Sequence, residues 1–294
     1  MQAGIHLLHK PVGPTSRAAM ETLRPPGSSL PLCHGGALDP FAEGLLLVLV
    51  GEATRLFPYL HDIPKVYEAT IAWGTETDNG DLGGRVVSTG DAAQIDAGSL
   101  APALQRFVGW QDQVPPTTSN KRVSGERAYE KAHRGDIFTL PASRVYLHQA
   151  RWLEHRLPEE SRLELTVAGG YYVRALVRDL GRSQGIPAHL RRLDRRSIGP
   201  WEDPGPGELP PLRGESLLPW CPARRLSTDE RSRLRRAGPI ARGSMTEAEW
   251  PLPEGFPVPP VRLLYQGRLV GLARDGETPN GETLVTELLL GRGI

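Results

Sequence analysis

The hydrophobic positions follow two rhythms. Residues 67–73 (Tyr-Glu-Ala-Thr-Ile-Ala-Trp) alternate apolar and polar side chains and predict a half-buried strand, as do residues 163–167. Residues 5–9 predict another strand, Pro11-Val12-Gly13-Pro14 a turn, and Thr15 or Ser16 the cap of a helix running to about Arg24. Helical spacing recurs at 100–107 and at 172–180, where an amphipathic segment ends near Gly181 or Gly185. The longest aliphatic run, Leu45-Leu46-Leu47-Val48-Leu49-Val50, falls far short of the roughly 18 residues of a membrane-spanning helix. Strand and helix signals mix without a strict βαβ alternation, which favours an α+β fold. The chain has no internal repeat.

Punctuation divides the chain. Residues 200–211, rich in Pro and Gly, are loop chemistry and mark the best boundary, giving units 1–207 and 208–294. A second Pro-rich passage, 251–260, precedes an alternating segment at 261–273 that Gln266-Gly267 splits into a hairpin. Composition then narrows the class. The 294 residues carry a formal charge of only +1. Two cysteines, Cys33 and Cys221, exclude a disulfide framework and argue against a metal site built from cysteines. The first residues show neither the basic start nor the apolar stretch of a signal peptide, so a cytoplasmic protein is expected. Two stretches are locally basic: 174–196 and 224–242 each hold seven arginines against two acids. They suggest a polyanion partner, although solvated helix faces would look the same.

The densest chemistry lies at His34-Gly35-Gly36-Ala37-Leu38-Asp39-Pro40-Phe41-Ala42-Glu43-Gly44, followed by Gly51-Glu52-Ala53-Thr54-Arg55. The paired glycines let the backbone approach a ligand closely, and Pro40 drives Asp39 towards an extended conformation. No Gly-Lys-Ser/Thr follows, so this is not a phosphate-binding P-loop, and the glycine spacing is not a dinucleotide fingerprint. The eight histidines form no ligand-spaced pair beside a carboxylate, which argues against a metal-dependent hydrolase.

These two blocks closely resemble the catalytic signature of the bacterial tRNA pseudouridine(55) synthases, the TruB family. Further blocks resemble the family in order: Leu8-His9-Lys10-Pro11-Val12-Gly13-Pro14-Thr15-Ser16, Lys65-Val66-Tyr67-Glu68-Ala69, Gln113-Val114-Pro115-Pro116 with Gly125-Glu126-Arg127-Ala128-Tyr129-Glu130, and Gly169-Gly170-Tyr171-Tyr172-Val173-Arg174-Ala175-Leu176 with His189-Leu190-Arg191-Arg192-Leu193. They cover roughly residues 5–200. His9 stands where Asp is usual, a position that reads as structural. After Pro116 the family carries Tyr-Ser-Ala, which Thr117-Thr118-Ser119 replaces here without the aromatic.

The resemblance implies a pseudouridine synthase fold with a mixed, mostly antiparallel central sheet and a small β-rich PUA-like C-terminal domain that binds RNA. It implies isomerisation of a T-loop uridine of tRNA, without cofactor or metal, by an enzyme expected to be monomeric. Cleaving an N-glycosidic bond builds positive character at C1′, so a carboxylate beside the sugar is the natural partner. Asp39 matches that carboxylate, acting either as a nucleophile at C1′ or as a base at C2′. Arg174 matches its basic partner, and Tyr67 the tyrosine that stacks on uracil and helps remove the C5 proton. Leu193 matches an apolar pocket wall. His34 matches the residue that fills the space left by the flipped base, while Arg55, Arg122, Tyr172, Arg191 and Arg192 are expected at the RNA. A non-catalytic tRNA-binding module on the same fold is the alternative, which the survival of Asp39, Tyr67 and Arg174 disfavours.

Overall fold

The computed structural model describes residues 2–123, 125–207, 209–236, 238–250, 252, 256, 258–278 and 281–294. The boundary expected at Glu208, and much of the Pro-rich passage 251–260, lie outside the described residues.

A nine-stranded sheet forms the centre: β1 (Gly4–Lys10), β2 (Leu32–His34), β3 (Glu43–Val50), β4 (Lys65–Trp73), β5 (Gly109–Gln113), β6 (Ser143–Arg156), β7 (Glu160–Val167), β8 (Ala188–Ile198) and β9 (Trp201–Glu202). The strands run in the order β1-β3-β8-β4-β7-β6-β5, with β2 on β3 and β9 on β8. Every pairing is antiparallel except β3 with β8. Helices α1 (Ser16–Glu21), α2 (Phe57–Leu60), α3 (Ala97–Gln105), α4 (Ala128–Arg134) and α5 (Val173–Ser183) lie in its connections. Thr15 caps α1, its hydroxyl accepting from Ala18 N–H at 3.1 Å. Tyr172, expected inside the second amphipathic helix, is instead the residue that caps α5. The expected α+β class, with its mixed central sheet, is the observed one.

A second, five-stranded sheet follows: β10 (Ala223–Arg225), β11 (Ile240–Ala241), β12 (Val261–Tyr265), β13 (Arg268–Thr278) and β14 (Gly281–Leu289), in the order β10-β12-β13-β14-β11, with α6 (Thr228–Arg235). It is the small β-rich C-terminal unit of the expected fold class, consistent with a PUA-like domain. Gln266 and Gly267 both take positive φ, +50° and +72°, as a tight two-residue turn between β12 and β13 requires.

The aliphatic run explains how the sheets join. Leu45, Leu47 and Leu49 of β3 point into a core shared with Leu217, Trp220, Leu264, Leu272 and Ile294 of the second unit. Leu46, Val48 and Val50 point the other way, onto Ala19 and Met20 of α1. Both faces of β3 are covered, so its sequence shows no alternation. A separate core around Tyr67, Ile71, Leu147, Leu165, Leu176 and Leu190 packs α3 and α5 against the other half of the sheet. Among the described residues no helix is long and apolar enough to cross a membrane.

Candidate active site

Asp39 sits on the loop between β2 and β3, and its neighbours hold that loop from two sides. From the N-terminal segment, the fully buried Lys10 ammonium donates to the carbonyls of Pro11 (2.9 Å) and Ala42 (2.7 Å). Ser16 Oγ donates to Leu38 O at 2.8 Å and accepts from Leu38 N–H at 2.7 Å, and Gly13 N–H donates to Pro40 O at 2.8 Å. The Lys-Pro-x-Gly-x-x-Ser block is therefore a clamp on the loop. From the sheet, Arg195 of β8, 1% exposed, donates from Nε to Leu45 O (2.7 Å) and from Nη2 to Gly36 O (2.9 Å). Burial pulls the Lys10 ammonium down to about 8 even though Asp39 pushes it up.

Arg174 enters from the first turn of α5. Its Nη2 donates to Asp39 Oδ1 at 3.0 Å, and its Nε lies 2.9 Å from Oδ2, an ion pair gripping both carboxylate oxygens. Nη1 donates to Asn79 O (2.7 Å) and Thr118 Oγ1 (2.8 Å), and Nη2 also to Thr118 O (3.1 Å). Asp81 Oδ2 stands 3.9 Å away. Arg174 is thus locked, with its side chain 4% exposed, while that of Asp39 keeps 35% open. Burial pushes the Asp39 carboxyl above its ordinary value; Arg174 pulls it back, and the Asp81 carboxylate pushes it up again. The result is a carboxylate fixed by Arg174 and open on one side. The segment Thr117-Thr118-Ser119 supplies Thr118, one residue beyond the position where an aromatic was expected, and its hydroxyl and carbonyl both accept from Arg174.

Tyr67 of β4 is buried, directly across the strand pair from Arg195. The guanidinium lies 6.0 Å from the ring centroid, and its Nη1 approaches the phenol oxygen at 3.4 Å. Leu193, two residues earlier on the same face of β8, joins Tyr67, Leu38 and Phe41 in one apolar cluster. Lys65 is buried beside these groups, donating to His61 O and Ile63 O at 2.8 Å each, and burial brings it down to about 7. Asp39 and Arg174 are thus brought into contact, and Tyr67 with Leu193 is joined to their loop through Arg195.

The expected RNA contacts are placed variously. His34 ends β2 with Nδ1 buried and unpartnered among the described residues, and burial, followed by the Arg195 charge, lowers its pKa. Tyr172 is half-buried, its backbone held by Gln113, whose side chain accepts from Tyr172 N–H (2.8 Å) and donates to Tyr172 O (3.0 Å). Arg122 lies exposed on a two-stranded ribbon, donating to Gly125 O at 2.8 Å. Arg191 and Arg192 are exposed on β8 and pair with Glu160 and Glu43. Arg55 donates to Leu289 O in the C-terminal unit. His9 makes a 2.7 Å contact with Asp203, a structural pairing. Sequence reasoning gave no role at the site to Lys10, Ser16, Asp81, Thr118 or Arg195. Among the described residues no group of three His, Cys, Asp or Glu side chains is placed to hold a metal ion.

Residues 31–173, which carry this loop and end at the residue before Arg174, match the family model described as the TruB family pseudouridylate synthase N-terminal domain. A protein of Rhodopseudomonas palustris named tRNA pseudouridine synthase B is 39% identical over 197 residues, 67% of this chain and 54% of that protein. The chain's match thus spans about half the length of that relative. One of the same name from Thermobifida fusca is 32% identical over 290 residues, covering 94% of this chain and 95% of its own. Among solved structures, that of a Cbf5-Nop10-Gar1 complex covers 98% of this chain and 84% of the matched chain, with a TM-score of 0.65 at 18% identity, a likeness of fold. With near full-length similarity to the Thermobifida relative added to the Asp39 loop and its clamps, the chain belongs to the TruB family of pseudouridylate synthases.

Proposed function

We propose that this protein converts a uridine in the T-loop of tRNA, position 55, to pseudouridine. The observation that carries the reading is the Asp39–Arg174 pair, held by two contacts of 2.9 and 3.0 Å with one side of the carboxylate open. The relatives' name, tRNA pseudouridine synthase B, supports tRNA as the substrate. The C1′–N1 bond breaks, the uracil turns, and a C1′–C5 bond forms; C5 gives up its proton and N1 gains one. Asp39 supplies the carboxylate at the sugar, and the Arg174 guanidinium opposes the upward push of burial on it and fixes its orientation. Tyr67 faces the flat base, and its hydroxyl accepts from Arg195, leaving its own O–H free for proton transfer. Leu193, Leu38 and Phe41 give an apolar wall that keeps the detached uracil from diffusing away. His34, Arg55, Arg122, Tyr172, Arg191 and Arg192 are assigned to RNA contact, for the two exposed β8 arginines by exchanging carboxylate for phosphate. The unit beyond residue 207 is assigned to RNA binding.

The test is tritium release from a tRNA transcript labelled at uridine C5. Wild type is expected to release about one equivalent per tRNA, while Asp39→Asn releases none and binds tRNA within a few fold of wild type. Tight binding without release by the wild type would leave only the binding-module alternative.

A further inference from the structure

The second basic stretch does not act as one patch. Arg224 pairs with Glu230, Arg225 with Glu215, and Arg242 with Asp275 and Glu282. Arg231 and Arg235 do something else: they line a cleft of ≈ 370 Å³ together with Arg268 of β13, Arg292, Tyr265 and Thr228. The four arginines arrive from α6, from the strand after the β12–β13 turn and from the C-terminal segment, so three separate parts of the chain converge. No carboxylate is in the lining. Among the described residues none of the four is in an ion pair within 4.0 Å, whereas all three of the stretch's arginines named above are.

Arg231 shows that the convergence is a built site. It is only 8% exposed, yet its Nη1 is buried with no hydrogen-bond partner among the described residues. Its Nη2 donates to Gly291 O at 3.0 Å and more weakly to Leu290 O at 3.4 Å, which fixes the guanidinium from one side. Burial, then the like charge of Arg235, pulls its pKa below the ordinary value. Glu52 is the carboxylate whose charge reaches it, and both Glu52 oxygens are taken by the N–H groups of Gly291 and Arg292. A buried guanidinium with an unused donor beside three more cations is unfavourable unless an anion completes it.

We propose that this cleft is a phosphate-binding site, separate from the Asp39 centre. Guanidinium forks match tetrahedral oxyanions with bidentate geometry, and four of them suit a phosphate far better than a carboxylate, while the Thr228 and Tyr265 hydroxyls at the wall add neutral donors. The inference rests on the proposed RNA reaction only for the source of that phosphate, a group on tRNA outside the T-arm.

The test uses the full chain, wild type against the double variant Arg235→Gln/Arg268→Gln. Both side chains are exposed, so the fold should survive, and an unchanged melting temperature in chloride checks this. Arg231→Lys serves as a second variant, keeping charge but losing the fork. Binding of whole tRNA and of an isolated T-arm stem-loop is measured across a salt series. The expected result is a whole-tRNA affinity at least about tenfold weaker relative to the stem-loop, with a log–log salt slope shallower by about 1–2. The second arm compares melting in millimolar inorganic phosphate with chloride of equal ionic strength. A phosphate-specific rise in wild type that both variants lose, with tRNA binding unchanged, would assign the site to free phosphate. No relative loss for tRNA and no phosphate-specific rise would overturn the proposal. A wild type that shows the phosphate effect but releases no tritium would instead overturn the proposed reaction and leave the site standing.

Discussion

Thr118 holds Arg174 with both its hydroxyl and its carbonyl, so a residue standing where the family's aromatic segment is altered becomes part of the pair that orients Asp39. Removing the hydroxyl with Thr118→Val keeps the shape and takes one acceptor from a guanidinium. A hydrogen bond to a charged group contributes about 1.5–3 kcal/mol, so if that orientation matters chiefly in the transition state, kcat falls roughly tenfold or more. Single-turnover tritium release should show that fall while tRNA affinity stays within about twofold; an equal loss in affinity would mean the segment serves binding instead. Asp39, Tyr67 and Arg174 were legible because each stands inside a dense motif. Thr118 and Arg195 were not, because what each holds is distant in sequence. Arg195 reaches carbonyls of Gly36 and Leu45 far upstream, and from composition it is one more arginine in a basic run. Six of that run's seven arginines face carboxylates in the fold, contributed in part by Glu43, Glu76, Glu68 and Glu160 from other strands and loops. Charge counted along the chain therefore overstated the free positive surface.

At the scale of elements, local period and turn chemistry were enough where one face of a strand or helix is buried. The strand at 67–73, the cap at Thr15 and the Gln266-Gly267 hairpin follow from them. The period fails where both faces are covered, as in β3, and it gives no hint of β6, whose fourteen residues mix buried and exposed positions around two register shifts. The parallel seam between β3 and β8 was likewise invisible, though it sets the site: it places Arg195 behind the Asp39 loop. Gly44 makes the seam possible. It lies at φ +104°, and a Cβ there would stand 2.4 Å from Arg195 O and 2.7 Å from Arg195 N. These are backbone atoms of a paired strand and cannot swing aside. Gly44→Ala should therefore cost at least about 2 kcal/mol, combining overpacking with an unfavourable φ. Urea unfolding is the measure, with activity falling further than stability because Arg195 moves with β8. A variant as stable and active as wild type would show that the seam can open without consequence.

The molecule as a whole reads in sequence as two units, but one of its cores is shared by both. Ile5, Leu45, Leu47 and Leu49 of the central sheet are fully buried, and their cluster is completed by Leu217, Trp220, Leu264, Leu269, Leu272, Leu290 and Ile294 from beyond the loop. Hydrogen bonds cross the same join: Ile5 and Leu212 exchange backbone bonds at 3.1 and 2.8 Å, and Glu52 accepts from Gly291 N–H at 2.8 Å. Pro- and Gly-rich linker chemistry marks where secondary structure stops; it carries no information about whether the flanking cores merge. Uncovering four fully buried aliphatic side chains costs roughly 1.5–3 kcal/mol each, or on the order of 6–12 kcal/mol. That equals the whole stability of an ordinary domain, about 5–15 kcal/mol. A chain ended after Gly207 should therefore fail to fold, seen as aggregation and dye binding by the exposed β1–β3 face. The full chain should unfold in one transition. In a chain with Trp73, Trp110 and Trp152 replaced by Phe, tryptophan fluorescence reports the join, since the Trp201 and Trp220 rings pack edge-on at 5.3 Å across it, while far-UV circular dichroism reports both sheets. Coincident urea curves by the two probes are the expected result. A soluble 1–207 fragment with its own cooperative transition, or a fluorescence change preceding the loss of circular dichroism, would mean that the two sheets are separable and that the shared core only docks them.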